Sequence, residues 1–352
     1  MHMHHHRLRR ALAALLVVFV SLVAGSASAS DAVCPIDRTI VFADFDWDSA
    51  MLLNGIARTV LEEGFGCTTD AFPGSTIPMY QGAIRGDIDV LMEVSKVNIP
   101  DFWPGALADG SVVEIAEVFD DAIQAFYVPR YVIEGDAERG IEALAPDLRS
   151  VFDLPRYAEL FRDPEQPDVG RFHNCILGWQ CELINNVKLH AYGLTDAFVS
   201  FEPGTAVALA TTMETAYLRG EPWLGYYWAP TWLLGRLDMV RLEEPEYTDA
   251  CWDELMANLD TPEQAEVACA YPDAAAAIVV GAPFHAAAGD AVLGFLAAVR
   301  VPTDVISELL AHMQDTGDDP LGAARTFLAE RPDDWTHWVD DAVAERVLAA
   351  LD

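Results

Sequence analysis

Between residues 39 and 93 the chain alternates strand-like and helix-like stretches joined by short polar turns, which restricts this part to an α/β arrangement with parallel strands. Thr39-Ile40-Val41-Phe42-Ala43 is short, apolar and β-branched, and runs into a polar turn at residues 44–48. Residues 50–63 have helical spacing and stop at Gly64. A second strand at 68–72, a helix at 77–84 ending near Gly86 and a third strand at 88–93 continue the pattern. In such sheets ligands commonly bind at the carboxyl ends of the strands. Residues 125–133 and 274–280 are further strand candidates, residues 182–189 and 286–299 are helix-like, and the tail is largely helical.

The first residues predict where the protein works. An Arg-bearing start precedes fifteen uncharged, mostly apolar residues, 11–25, and then Ala27-Ser28-Ala29, the pattern of a signal peptide over residues 1–29. His2, His4, His5 and His6 fall in that segment and are not read as a metal site. The expected product is soluble and extracytoplasmic, in the periplasm or its equivalent. A net charge of −35 argues against nucleic acid as a partner.

Six cysteines in an exported chain predict disulfides rather than zinc, because no pair has CxxC spacing. Local closure pairs Cys175 with Cys181 first, then Cys251 with Cys269 and Cys34 with Cys67. The first pair would fix a tight loop with Trp179 presented outward.

Two groups of residues are candidates for chemistry. Asp44, Asp46 and Asp48 alternate after a strand, as a metal-assisted hydrolase or phosphatase would require, but Ser49 and Gly55 stand where a calcium loop needs its glycine and its glutamate. No other enzyme signature is found, and the chain is read as a binding protein without metal or cofactor. The second group is aromatic: Trp179 between two cysteines, and Tyr226-Tyr227-Trp228 beside Pro230-Thr231-Trp232 in a segment read as turn-like. Converging ring faces suit a quaternary ammonium, which is positive but has no N–H to donate, while loop N–H groups suit a carboxylate.

The segments VFADFDWDSAMLLN, PGSTIPMYQGAIRGDIDVLMEV, GRFHNCILGWQCELINNVKLHAYGL and RGEPWLGYYWAPTWLLGRLDMVRLEEP resemble the glycine betaine/proline-betaine ABC-transporter substrate-binding proteins of the ProX/OpuAC family. The resemblance extends from about Thr39 to Trp338. It implies a type II periplasmic-binding-protein fold, with two α/β lobes and a ligand cleft between them. It further implies a monomer that delivers a small zwitterionic solute to a membrane permease with a cytoplasmic ATPase. Residues 34–126 and 277–352 are expected in lobe 1 and residues 127–276 in lobe 2. Trp179 and Trp228 match box tryptophans, and the N–H groups of Gln180 and Cys181 match those that hold a betaine carboxylate. Ser95 replaces the third box tryptophan, followed by Lys96. Trp47 is the candidate to rebuild the box, Lys96 a candidate carboxylate partner, and Thr231 a further contact.

Overall fold

The structure, a computed structural model, describes residues 34–272 and 274–351. The signal-peptide expectation lies outside these residues. The first half of the fold begins with β1 (Ile40–Phe45), α1 (Asp48–Thr59), β2 (Thr69–Gly74), α2 (Thr76–Arg85), β3 (Val90–Ser95) and α3 (Trp103–Ala108). β1 pairs in parallel with both β2 and β3, as the alternation predicts. β3 is buried along Val90–Val94, the mark of a strand covered on both faces.

α1 buries Leu52, Leu53, Ile56 and Ala57 against this sheet. Gly55 on its far side lets the helix Pro320–Glu330 cross closely, since a Cβ there would lie 2.9 Å from the Ala324 Cβ. After Thr59 the helix continues as a wider π turn over Val60–Gly64. α2 ends at Gly86, whose φ of +80° closes the helix in the left-handed conformation that glycine tolerates best.

β4 (Val112–Pro129) connects the two halves of the sheet. Residues 112–122 pair with β9 (Ala274–Gly281), while Ile123–Tyr127 pair with β7 (Gly225–Ala229) and Tyr127–Pro129 with β8 (Met239–Arg241). Between these lie α4 (Arg130–Glu134), β5 (Gly170–His173), α5 (Gln180–Ala191), β6 (Phe198–Phe201) and α6 (Ala206–Arg219). The described strands run β2-β1-β3-β9-β4-β7-β5-β6, with β8 on β4. The fold is thus a two-lobed α/β architecture whose lobes share one long strand.

Two corrections follow. The strand expected over residues 125–133 begins thirteen residues earlier, at Val112, and gives way to α4 at Arg130. The aromatic segment Tyr226-Tyr227-Trp228 is not a turn but part of β7, because hydrogen bonding to β4 extends it; the turn comes only at the cis peptide Ala229–Pro230. Disulfides join Cys34 to Cys67, Cys175 to Cys181 and Cys251 to Cys269.

In the second lobe the Lys188 ammonium, fully buried, sits 2.6 Å from Glu244 Oε2 and over the rings of Phe126 and Tyr271. Burial lowers its pKa, which the neighbouring Glu244 opposes. The Tyr192 hydroxyl donates to the same carboxylate oxygen, so the buried pair has a third member.

Candidate functional site: an indole-lined cavity

Three tryptophans from three separate segments meet in the cleft. Trp47 leaves the carboxyl end of β1, Trp179 is the residue before α5, and Trp228 projects from β7. The Trp47 and Trp179 ring centroids are 5.6 Å apart with planes at 83°, and those of Trp179 and Trp228 are 5.2 Å apart at 82°. Trp179 therefore forms one wall, and the other two stand edge-on to it. Phe45 stacks on Trp47 at 4.4 Å and Tyr227 on Trp228 at 4.6 Å, which holds both outer indoles in place. The cavity they line is open to solvent on one side and has a volume of about 70 Å³.

Two of the three indole N–H groups are already engaged. Trp179 Nε1 donates to Asp46 Oδ1 at 2.6 Å and Trp47 Nε1 to Glu93 Oε1 at 3.0 Å. Their ring faces are left for a ligand. The Cys175–Cys181 loop, expected to present Trp179 outward, turns it inward: Trp179 is 5% exposed while Leu177 at the tip is 74% exposed. Gly178 explains the turn, since its φ is +94° and its missing side chain admits Ser75.

The two helices at this wall, α2 and α5, begin without a side-chain cap. First-turn N–H groups have no partner within a helix, so the amino ends of both bring partial positive charge to the cleft. Thr76, Gln180 and Cys181 from these turns line the cavity.

Ser95 lines the same cavity, and its Oγ accepts from the Val97 and Asn98 N–H groups at 3.4 and 3.3 Å. Trp47 lines this cavity beside Ser95. Lys96 does not reach the cavity: its ammonium lies 2.7 Å from Glu114 and 2.6 Å from Glu117, which hold its pKa above the ordinary lysine value. Thr231 lies outside the cavity as well, and its hydroxyl donates to the Trp228 carbonyl.

The acidic triplet is divided among separate surroundings rather than gathered at one point. Asp44 accepts from Asn54, Asp46 from Trp179, and Asp48 opens α1 with its pKa raised by burial. Among the described residues, no three His, Cys, Asp or Glu side chains converge to hold a metal.

Sequence reasoning missed Glu93. It sits within the apolar run of β3, 8% exposed, and burial pushes its carboxyl up to about 7 against the opposing hydrogen bonds from Ser49 and Trp47. A lone acid in a buried strand was the available signal.

Residues 38–330 match the family described as the substrate binding domain of ABC-type glycine betaine transport systems. A curated relative, the glycine betaine/proline betaine-binding periplasmic protein of Escherichia coli (strain K12), is 33% identical over 95 residues. That alignment covers 26% of this chain and only 28% of the relative. The fold is similar to the ProX protein of Borrelia burgdorferi, with TM-score 0.66 and 16% identity over 88% of this chain and 100% of that one. It is also similar to an ABC-transporter choline-binding protein in complex with choline, with TM-score 0.65 and 18% identity over 91% and 99%. A third match, lactococcal OpuAC complexed with glycine betaine, has TM-score 0.63 and 15% identity over 86% and 100%. With a family match across most of its length and the fold to go with it, the chain belongs to the substrate-binding domains of ABC-type glycine betaine transport systems.

Proposed function

We propose that this protein captures a small quaternary-ammonium or zwitterionic solute in the periplasm and delivers it to a membrane permease driven by a cytoplasmic ATPase. The observation that carries the reading is the meeting of Trp47, Trp179 and Trp228 around one cavity at centroid distances of 5.6 and 5.2 Å. Ring faces attract a diffuse positive charge without needing a donor from it. A carboxylate on the solute would lie at the N–H groups of Gln180 and Cys181, where the α5 dipole favours negative charge.

Capture is non-covalent and uses closure of lobe 1 (34–126 and 277–352) on lobe 2 (127–276). The change of β4 pairing from β9 to β7 after Ala122 supports a hinge there. The protein acts as a monomer.

Calorimetry on ligand-free protein with glycine betaine, proline betaine, choline and carnitine tests this reading. Binding of at least one is expected, weakened by Trp179→Ala or Trp228→Ala and less by phenylalanine at either position. A cation–π face is worth about 0.5–2 kcal/mol, so each alanine should weaken binding at least several-fold. Silence across the panel would overturn the assignment.

A further inference from the structure

The cavity has a chemistry that a fully methylated cation does not use. Glu93 accepts from Trp47 and Ser49 through Oε1, but Oε2 is buried with no hydrogen-bond partner among the described residues. Asn98 Oδ1 is likewise buried and unpaired, and its amide orientation is fixed by Nδ2 donating to Gln124 Oε1 at 2.7 Å. Gln180 Oε1 is a third such acceptor. All three residues line the cavity, and no lysine, arginine or histidine is among its lining residues. Leaving acceptors buried and unmatched is costly, whereas a donor placed against an ionised one makes a strong bond.

Resting on the ammonium reading above, we propose that the cavity prefers cations carrying at least one N–H or O–H donor over their fully methylated counterparts, and that Glu93 is the residue that selects them. The ring faces would hold the methylated side of the cation, while Glu93 Oε2 would take the proton-bearing side and balance the charge. Asn98 and Gln180 would offer further acceptors to a ligand with a second donor.

The groups facing Glu93 leave this assignment to Glu93 alone. α1 contributes Ser49 and the turn before it Trp47, neither of which titrates, and Asp48, raised by burial at the start of α1, does not line the cavity. α2 contributes Tyr80, whose hydroxyl is held above its ordinary pKa by burial and then by the Glu93 charge, so it stays protonated. On the opposite side, Tyr226 is likewise raised by burial and donates to Gln124. The hydrogen bond from a donor-bearing cation is strongest when Glu93 is ionised, and burial places that ionisation at about 7. Affinity for the donor-bearing ligand therefore rises as pH increases from 6 to 8.

The test uses two pairs that differ by one methyl group in place of one N–H: trimethylammonium against tetramethylammonium, and N,N-dimethylglycine against glycine betaine. Titrated into ligand-free protein at pH 8, the N–H-bearing member of each pair should bind about tenfold tighter or more. The preference should shrink at pH 6 and collapse in Glu93→Gln, where the N–H-bearing member loses affinity by a larger factor than the methylated one. If wild-type protein binds the methylated members equally or more tightly at pH 8, the inference is wrong. A preference that persists unchanged in Glu93→Gln would remove Glu93 from the role. Should Glu93→Gln not fold, the wild-type pH dependence decides: a preference that is the same at pH 6 and pH 8 overturns the inference. Failure of all four compounds to bind would defeat the ammonium reading itself, whereas binding without donor preference defeats only this refinement.

Discussion

The indole N–H of Trp179 donates to Asp46 Oδ1 at 2.6 Å, joining residues 133 positions apart on opposite sides of the cleft. The bond fixes the plane of the central indole and also ties the second lobe to the carboxyl end of β1. Hydrogen bonds to charged groups contribute about 1.5–3 kcal/mol, so Asp46→Ala should weaken ligand binding on the order of ten- to a hundredfold. Asp46→Asn keeps an acceptor and should lose less. Titration calorimetry on the two variants checks the order; equal affinity in wild type and Asp46→Ala would show that the tie is incidental.

Gly178 and Ser75 make the second tie across the cleft. A Cβ on Gly178 would lie 2.6 Å from Ser75 Oγ and 3.2 Å from Ser75 Cβ, and the φ of +94° strains any larger residue by about 1–3 kcal/mol. Gly178→Ala should therefore lower affinity with the fold intact, as seen by unchanged circular dichroism and a larger radius of gyration in the presence of ligand. Adding Ser75→Gly should recover the steric part of the loss and leave the backbone part. A Gly178→Ala protein that closes and binds normally contradicts this.

The disulfides should separate stability from affinity. Chain-entropy reasoning gives about 2 kcal/mol for the short Cys175–Cys181 loop and about 4 kcal/mol for the longer Cys34–Cys67 loop. The first bond lies beside Trp179 and α5, whereas the second lies at the edge of the first lobe's core. Replacing Cys175 and Cys181 by alanine should cost less in unfolding free energy but more in ligand affinity than replacing Cys34 and Cys67. Denaturant melts and calorimetry on the two double variants would expose the reverse ranking if the loop does not shape the site.

Burying the Glu93 carboxylate is a cost to the fold. Its carboxyl, raised to about 7 by burial, binds its proton more tightly folded than unfolded. Stability of the ligand-free protein is then greatest when this group is protonated, falls between the unfolded carboxyl value near 4.5 and about 7, and levels off above. A shift of this size corresponds to a few kcal/mol. Glu93→Gln keeps an acceptor for Trp47 and Ser49 but cannot ionise, so its melting temperature at pH 8 should exceed that of wild type and their difference should narrow toward pH 5. A wild type as stable as Glu93→Gln across that range would argue against a strained carboxylate.

Much of the first lobe was legible because its signals are local. The strand at Thr39 to Ala43, the helix stop at Gly64 and the left-handed Gly86 each follow from a few adjacent residues. Trp179 and Trp228 were legible through their segments. β4 was not, because Asp120 and Asp121 interrupt its apolar pattern where it passes between sheet halves, and only pairing to β9 and β7 makes the strand continuous. β7 was misread for the same reason: Gly225 and Pro230 punctuate it as a turn would, yet tertiary hydrogen bonding decides. Lys96 looked like a ligand contact until the fold brought Glu114 and Glu117 beside it, and Glu93 was hidden by the apolar residues on either side.

β4 also sets the mechanics of the molecule. Because one strand is stitched into both lobes, it cannot slide freely between them, and the proposed closure would be taken up as twist and bend near Ala122 and Ile123. In the proposed closure it would act as a torsion bar, with the angle of opening governed by backbone stiffness at residues that themselves border the cavity, since Ala122 and Gln124 line it. Gate amplitude and ligand chemistry would then be coupled, because a substitution at Ala122 or Gln124 alters the strand and the cavity wall at once.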